Sequence, residues 1–156
     1  MSGFRRGVRL GVDVGKARVG VARCDRDGLL AVPVETVARD ARTARRITEL
    51  AAEYEAFEIL VGLPICLSGG ETASTADART VAGEIAAASG LPIRLVDERL
   101  STVSAHAALR DSGRSQRSSR KLVDQVAAVV LLQQAIDVEK STGIPAGALH
   151  NPPEPV

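Results

Sequence analysis

Hydrophobic and polar residues alternate along the first part of the chain in the manner of β-strands. Between Val8 and Val14 every second residue is valine or leucine, so the apolar side chains share one face of a strand. Arg18–Cys24 and Leu29–Val37 are two further strand-like runs, separated from their predecessors by short polar links. Links this short cannot contain a crossover helix, and we therefore predict that the three strands form an antiparallel meander.

The spacing of the apolar residues then changes to three and four, which predicts helices between further strands. The continuous apolar runs at 57–63 and 93–96 are typical of strands that are covered on both faces. The second helix should end at Ser89, because Gly90 is a typical C-terminal cap. The pattern as a whole predicts strands at 57–63 and 93–96 and helices at 41–54, 73–89, 101–110 and 119–137.

This order of elements predicts an α/β fold with a mixed five-stranded sheet and helices on both of its faces. Right-handed crossovers place the fourth strand beside the first and the fifth beside the fourth. The carboxyl ends of these three strands then meet at one edge, where ligands bind in open α/β sheets. We expect one domain over residues 1–140 and a proline-rich, disordered tail over residues 141–156.

Three acidic residues are candidates for chemistry because of where these elements place them. Asp13 ends the first strand beside Gly11, Glu98 follows the fifth strand, and Asp124 lies in the least polar helix of the chain. A carboxylate on an otherwise apolar helix needs a partner, and a bound cation is one. Oxygen ligands without a histidine or cysteine set favour Mg²⁺ or Mn²⁺, so we predict a two-ion centre that hydrolyses phosphodiester bonds.

Each of these acids also has a purely structural interpretation. Asp13 fits a turn aspartate that bonds its own backbone, and Glu98 fits the acidic start of a helix. Asp124 fits an ion pair with Arg120 or Lys121 on the preceding turn. The metal-binding interpretation is strongest for Asp124, because a packing helix has little reason to carry an acid at that position.

A basic cluster precedes Asp124 and would flank the metal centre with positive charge. Such charges hold phosphate backbones in a salt-dependent way, although a solvated surface loop is the alternative interpretation. Two basic residues beside Asp13 would add phosphate contacts. The predicted substrate-binding residues are therefore Lys16, Arg18, Arg114, Arg117, Arg120 and Lys121.

Composition narrows the possible functions only slightly. The chain has 20 Lys and Arg residues against 19 Asp and Glu residues, so its formal net charge of +1 does not decide for or against a polyanionic partner. Aromatic residues make up only 2%, which argues against base stacking on aromatic side chains. No apolar run is long enough for a signal peptide or a membrane span, and we expect a cytoplasmic protein with no membrane partner.

Four motifs in order give the chain a resemblance to a known family. They are Asp13-Val14-Gly15-Lys16-Ala17-Arg18-Val19-Gly20-Val21-Ala22, Gly62-Leu63-Pro64 with Gly69, Asp97-Glu98-Arg99-Leu100-Ser101-Thr102, and Lys121 through Asp124 to Ala127-Ala128. At these residues the sequence resembles the YqgF/RuvX family of bacterial ribonuclease H-like nucleases, over nearly all of residues 7–138.

The resemblance implies a ribonuclease H-like fold with its acidic centre at Asp13, Glu98 and Asp124, and it adds Arg99 to the substrate contacts. It implies a nuclease that matures the 5′ end of the precursor of 16S ribosomal RNA. It also admits the resolution of Holliday junctions, four-way DNA branches of recombination and repair. A resolvase cuts two strands symmetrically and should therefore be a homodimer.

The chain departs from the family pattern in one loop, and two rival functions are also compatible with the sequence. The loop after Gly62-Leu63-Pro64 is apolar, so we consider that Cys66 is a dimer contact, by packing or by a disulfide. A non-catalytic RNA-binding protein is one rival function. A phosphotransferase of the actin and sugar-kinase type is the other, and it is disfavoured because such proteins need two domains of this kind.

Overall fold

The structure is a computed structural model that describes residues 3–66, 68–98 and 116–150, with side chains in the last range described from Gln125 onward. Its elements in chain order are β1 Val8–Val14, β2 Arg18–Cys24, β3 Ala31–Ala38, α1 Thr43–Glu53, β4 Ala56–Leu63, α2 Ala73–Ser89, β5 Ile93–Asp97, α3 Gln116–Thr142 and β6 Ala148–Leu149. The helix predicted at 101–110 lies outside the described residues. Within the described part, no helix is long and apolar enough to cross a membrane.

The strands form one mixed sheet in the order β3-β2-β1-β4-β5-β6. The first three strands pair antiparallel, as the meander predicts. β4 pairs parallel to β1, and β5 pairs parallel to β4. The predicted α/β architecture is therefore confirmed, and the carboxyl ends of β1, β4 and β5 lie side by side.

The segment after residue 140 differs from its prediction as a disordered tail. α3 continues to Thr142 and ends where Gly143 adopts a positive φ of 75°, which is a typical C-terminal stop. Ala148–Leu149 then pairs antiparallel with β5 and adds a sixth strand to the predicted five. A two-residue strand has no hydrophobic period, so the sequence pattern could not reveal it. Residues 151–156 lie outside the described residues.

The two faces of the sheet bury different kinds of side chain. Valine, leucine and isoleucine residues pack between the sheet and the pair α1 and α2, with Leu10 and Val12 of β1 fully buried among them. The opposite face packs against α3 and is richer in alanine, including Ala22 and Ala128, which lie beside larger residues such as Leu132. Small side chains let the helix approach the strands closely.

Gly11 shows how close that approach is. A Cβ atom at this position would lie 2.9 Å from the Cβ of Leu132 and 3.0 Å from the carbonyl oxygen of Ala128. Any larger residue would push α3 away from β1. The glycine thus fixes the position of α3 over the centre of β1.

Buried charges fix the far end of the same helix. Glu139 of α3 accepts a hydrogen bond from the Arg9 guanidinium at 2.9 Å, and the Glu139 and Arg9 side chains are only 4% and 2% exposed. Arg5 bridges Glu139 to Glu58 of β4, at 2.8 and 3.0 Å. α3 therefore runs antiparallel to β1, with residue 139 at the start of the strand and residue 128 near its middle.

Candidate metal centre and nucleic-acid interface

The carboxyl ends of β1 and β5 bring two of the three predicted acids together. Asp13 is the penultimate residue of β1, and Glu98 directly follows β5. The backbone N–H of Glu98 donates to the carbonyl oxygen of Leu63 at 3.2 Å, which keeps Glu98 against the end of β4. Both acids are half-buried, and their carboxyl groups are joined by a hydrogen bond.

Gly62 makes the space in which the Glu98 carboxyl group lies. A Cβ atom at position 62 would overlap Oε2 of Glu98 and would lie 3.3 Å from Cδ of Glu98 and from Cδ2 of Leu131. The carboxyl group therefore lies on the bare backbone of β4. The sequence showed Gly62 only as part of a motif, although a glycine within a buried strand indicates a close approach of another group.

Burial and the neighbouring acids raise the pKa of Glu98 to about 9. The loss of solvation is the largest cause, followed by the hydrogen bond with Asp13 and by the negative charges of Asp13 and Asp97. Two carboxylates in contact repel each other when both are ionised, so the pair needs a shared proton or a cation. Oxygen atoms with this arrangement fit a hard divalent cation such as Mg²⁺ or Mn²⁺.

Asp124, the third predicted acid, lies in α3, but its side chain is outside the described part of the structure. The helix runs from Glu139 near Arg9 to Ala128 near Gly11. Position 124 lies one turn beyond Ala128 in the same direction, toward the end of β1 that contains Asp13. Among the described side chains, no group of three or more potential metal ligands occurs, so the complete set of three acids stays a prediction.

Gln125, which no sequence pattern marks as functional, connects this part of α3 to the sheet. Its Nε2 donates to Oγ1 of Thr36 on β3 at 2.7 Å. Thr36 is paired with Gly20 of β2, and Gly20 is paired with Asp13 of β1. The residue after Asp124 is therefore anchored in the same row across the sheet as Asp13.

The predicted phosphate contacts at the β1–β2 turn lie close to Asp13. Lys16 is exposed at the tip of the turn, and Arg18 is half-buried at the start of β2. Lys16 also lines an open cleft of about 560 Å³ between this turn and α2, together with Arg39 and Asp77. No local sequence signal links Arg39 to Asp77, and the sequence pattern predicts neither of them as a functional residue.

The remaining predicted phosphate contacts are only partly placed. Arg99 and Arg114 lie outside the described residues. Arg117, Arg120 and Lys121 belong to the first turns of α3, and their side chains are outside the described part. Their helix leads directly into position 124, so the backbone keeps these basic positions next to the third acid.

Cys66 is exposed in the loop after β4, and its role as a dimer contact stays a prediction. Its sulfur lies 3.0 Å from Oγ of Ser68. The hydrogen bond with Ser68, followed by the contact with the Gly70 backbone, lowers the pKa of the Cys66 thiol. The loop is closed by a β-bridge between Ile65 and Glu71.

Comparison with known proteins identifies the fold and the family of this chain. A solved structure described as Thermus thermophilus RuvC in complex with a Holliday junction substrate has the same fold, with a TM-score of 0.56, 18% sequence identity, and coverage of 89% of this chain and 99% of that chain. At this identity the likeness shows the fold alone, and it confirms the ribonuclease H-like class.

Curated relatives match almost the whole chain. A protein of Clavibacter sepedonicus is 57% identical over 149 residues, which cover 94% of this chain and 92% of the relative. One of Streptomyces coelicolor is 52% identical over 147 residues, covering 92% and 88%. Both are named "Putative pre-16S rRNA nuclease". The family model described as "RuvX: Holliday junction resolvase" matches residues 7–138, and the chain therefore belongs to the RuvX family.

Proposed function

We propose that this protein is a metal-dependent endonuclease that hydrolyses phosphodiester bonds of structured nucleic acid, in the 5′-end processing of pre-16S ribosomal RNA. The observation that carries the proposal is the pair of hydrogen-bonded carboxyl groups of Asp13 and Glu98, half-buried over Gly62 at the carboxyl edge of the sheet. The names of the close relatives support the ribosomal RNA role. A nuclease with this role would act in the cytoplasm.

In the proposed mechanism Asp13, Glu98 and Asp124 would hold two divalent cations. Bound Mg²⁺ or Mn²⁺ supplies a reactive water and neutralises charge at the leaving oxygen. Asp13 and Glu98 would hold the cations as carboxylates, and cation binding would therefore release the proton of Glu98. The apolar packing of Leu131 beside Glu98 limits access of bulk water and strengthens the electrostatic attraction.

Basic side chains hold the substrate in this mechanism. Lys16 and Arg18 contact phosphates next to Asp13, and the basic positions of the first turns of α3 contact phosphates next to Asp124. Because these contacts are to the backbone of the nucleic acid, binding should weaken steeply with salt. The described residues at the site include no aromatic platform, so recognition rests on the shape of a structured substrate.

A four-way DNA junction is the second candidate substrate. The description of the matching family model favours it. A junction resolvase needs two active sites related by two-fold symmetry, and we propose Cys66 as a contact between two such subunits. Gel mobility of the wild type and of Cys66→Ser with and without reductant tests the disulfide form; monomer bands in every lane would reject it.

The deciding experiment is cleavage of two labelled substrates, a pre-16S 5′ segment and a four-way DNA junction, in Mg²⁺, Mn²⁺ or EDTA. We expect Asp13→Asn, Glu98→Gln and Asp124→Asn to lower the rate by about a hundredfold or more. Glu53→Gln is the matched control, because Glu53 is an exposed acid at the far end of α1. The better substrate identifies the role.

A non-catalytic RNA-binding protein would give a different pattern in the same experiment. The wild type would bind the RNA segment without cutting it, in either metal, and the three acid variants would bind equally well. That result would reject the proposed nuclease activity. Cleavage that persists in EDTA would reject the metal-dependent mechanism while leaving a nuclease.

A further inference from the structure

The turn between β1 and β2 carries the most compact group of proposed functional residues. It follows Asp13 after one residue and contains Lys16, and Arg18 begins the next strand. The backbone N–H of Gly15 donates to the carbonyl oxygen of Arg18 at 2.9 Å, which closes the turn. The position of this turn relative to the rest of the edge therefore affects both proposed metal binding and phosphate binding.

Arg39, directly after β3, bonds to both sides of this turn. Its guanidinium Nη1 donates to the carbonyl oxygen of Gly15 at 3.0 Å. Its backbone N–H donates to the carbonyl oxygen of Ala17, also at 3.0 Å. The residues on either side of Lys16 are thus held by a single arginine.

Asp77 of α2 in turn fixes the Arg39 guanidinium. The two side chains form a bidentate ion pair, with N–O distances of 2.8 and 2.6 Å. The Arg39 side chain is 21% exposed. The hydrogen bond from Arg39 holds the pKa of the Asp77 carboxyl group below its usual value. Bidentate pairing fixes the plane of the guanidinium as well as its position.

α2 is itself tied to the end of β4, which completes the connection. The hydroxyl group of Thr75, in the first turn of α2, donates to the carbonyl oxygen of Pro64. Pro64 follows the strand that contains Gly62, where the Glu98 carboxyl group lies. Arg39 and Asp77 therefore link the turn after Asp13 to the strand end beneath Glu98.

We propose that Arg39 is a positioning residue for the metal centre. It fixes the turn after Asp13 against α2, so that the carboxyl groups of Asp13 and Glu98 stay side by side. The proposal deepens the proposed function and rests on it. An ordinary surface ion pair contributes little. Arg39 differs because its third bond goes to the backbone of the turn. Lysine cannot form the bidentate pair and the bond to Gly15 together.

Arg46 offers a matched control on the same protein. It forms a bidentate pair with Glu35, at 2.9 and 2.8 Å, and links α1 to β3. Its side chain is 40% exposed, and it bonds to Glu35 and Glu49 rather than to the β1–β2 turn. Arg46→Gln therefore removes an ion pair of the same chemistry without touching the turn.

The test compares full-length wild type, Arg39→Gln, Arg39→Lys, Asp77→Asn and Arg46→Gln by amide hydrogen exchange and by Mn²⁺ titration calorimetry. In Arg39→Gln we expect the Gly15 amide to exchange about fivefold faster, as for the loss of one hydrogen bond. We expect Mn²⁺ to bind about tenfold more weakly, the usual effect of a supporting residue. Arg39→Lys and Asp77→Asn should lie between these values and the wild type, and Arg46→Gln should match the wild type.

Two results would overturn the proposal. One is an Arg39→Gln protein that matches Arg46→Gln in both measurements. The other is faster exchange of Gly15 with unchanged Mn²⁺ affinity, because Arg39 would then only stabilise the turn. Neither measurement needs catalysis. A wild type that binds Mn²⁺ but cuts no nucleic acid would reject the proposed function, while the positioning role would still be decided by these data.

Discussion

At the scale of single residues, the site depends on two glycines, because each leaves space that a larger residue would fill. Gly11 lets α3 approach β1, and Gly62 leaves room for the carboxyl group of Glu98. Neither residue takes part in chemistry. Both are needed because a metal centre requires carboxylates that are close together and shielded, and side chains at these two positions would separate them.

Substitution of Gly62 by alanine tests this idea at a single atom. The new Cβ would displace the Glu98 carboxyl group from Asp13, and we expect Mn²⁺ affinity and the cleavage rate to fall by about tenfold or more. The free energy of unfolding should change by only roughly 1 kcal/mol, since the displaced group is the end of a flexible side chain. Calorimetry and denaturant unfolding measure the two effects.

Gly83→Ala is the control for that substitution. A Cβ at Gly83 would lie 3.7 Å from the His150 ring, an ordinary contact, and position 83 is within α2. Alanine there should keep Mn²⁺ affinity and raise stability slightly, by about 0.5–1 kcal/mol. If Gly62→Ala bound Mn²⁺ as tightly as Gly83→Ala, the spatial role of Gly62 would be wrong.

At the scale of elements, sequence periodicity predicts most of the strands and helices. It does not predict contacts between residues that are far apart in the chain. The alternation of valines in β1 and the cap at Gly90 predict their elements well. The predicted end of α3 at residue 137 is too early, since the helix continues to Thr142 and ends at the glycine stop of Gly143. The pair Arg39–Asp77 spans 38 residues, and no local pattern could reveal a contact between residues so far apart.

Two contacts of α3 determine where the helix, and with it position 124, lies on the sheet. α3 is held near its C-terminal end by the buried carboxylate of Glu139, on which Arg5 and Arg9 converge. It is held near the site by the bond from Gln125 to Thr36. A long helix fixed at both points cannot slide along the sheet. Loss of either anchor should therefore affect the position of Asp124.

The Glu139 anchor has a pH dependence with a definite sign. Burial alone would raise the pKa of Glu139, but the hydrogen bonds and charges of Arg5 and Arg9 hold it below its ordinary value of 4.5. A depressed pKa gives stability that is present above pH 4.5 and is lost as the pH falls through the folded-state pKa. Acid should therefore weaken the attachment of α3.

Glu139→Gln tests this attachment. Near neutral pH we expect the variant to unfold more easily by about 3 kcal/mol, because Arg9 is left buried without its charged partner. The difference from the wild type should shrink below pH 4.5. Glu71→Gln, which removes an exposed partner of Arg79, should change the free energy of unfolding far less, because water screens an exposed ion pair. Urea unfolding at several pH values measures both, and a difference that does not vary with pH would contradict the assignment.

At the scale of the whole molecule, the two edges of the sheet are protected in different ways. Pro33 lies in the edge strand β3, where it removes a backbone donor and discourages pairing with another chain. The other edge is covered by the chain itself. Ala148 and Leu149 pair with β5, and the N–H of His150 donates to the carbonyl oxygen of Ile93 at 2.8 Å.

A chain that ends at Thr142 would lose this cover and expose the backbone of β5. We expect it to unfold at a lower temperature and to associate as its concentration rises, since unpaired edges template pairing between molecules. A chain that ends at His150 is the control and should match the full-length protein in both respects. Differential scanning fluorimetry and light scattering over a range of concentrations measure the two properties. A Thr142 truncation that stayed monomeric and equally stable would show that the edge does not need β6, and the segment after α3 would then have to be explained by its contact with α2 at Gly83.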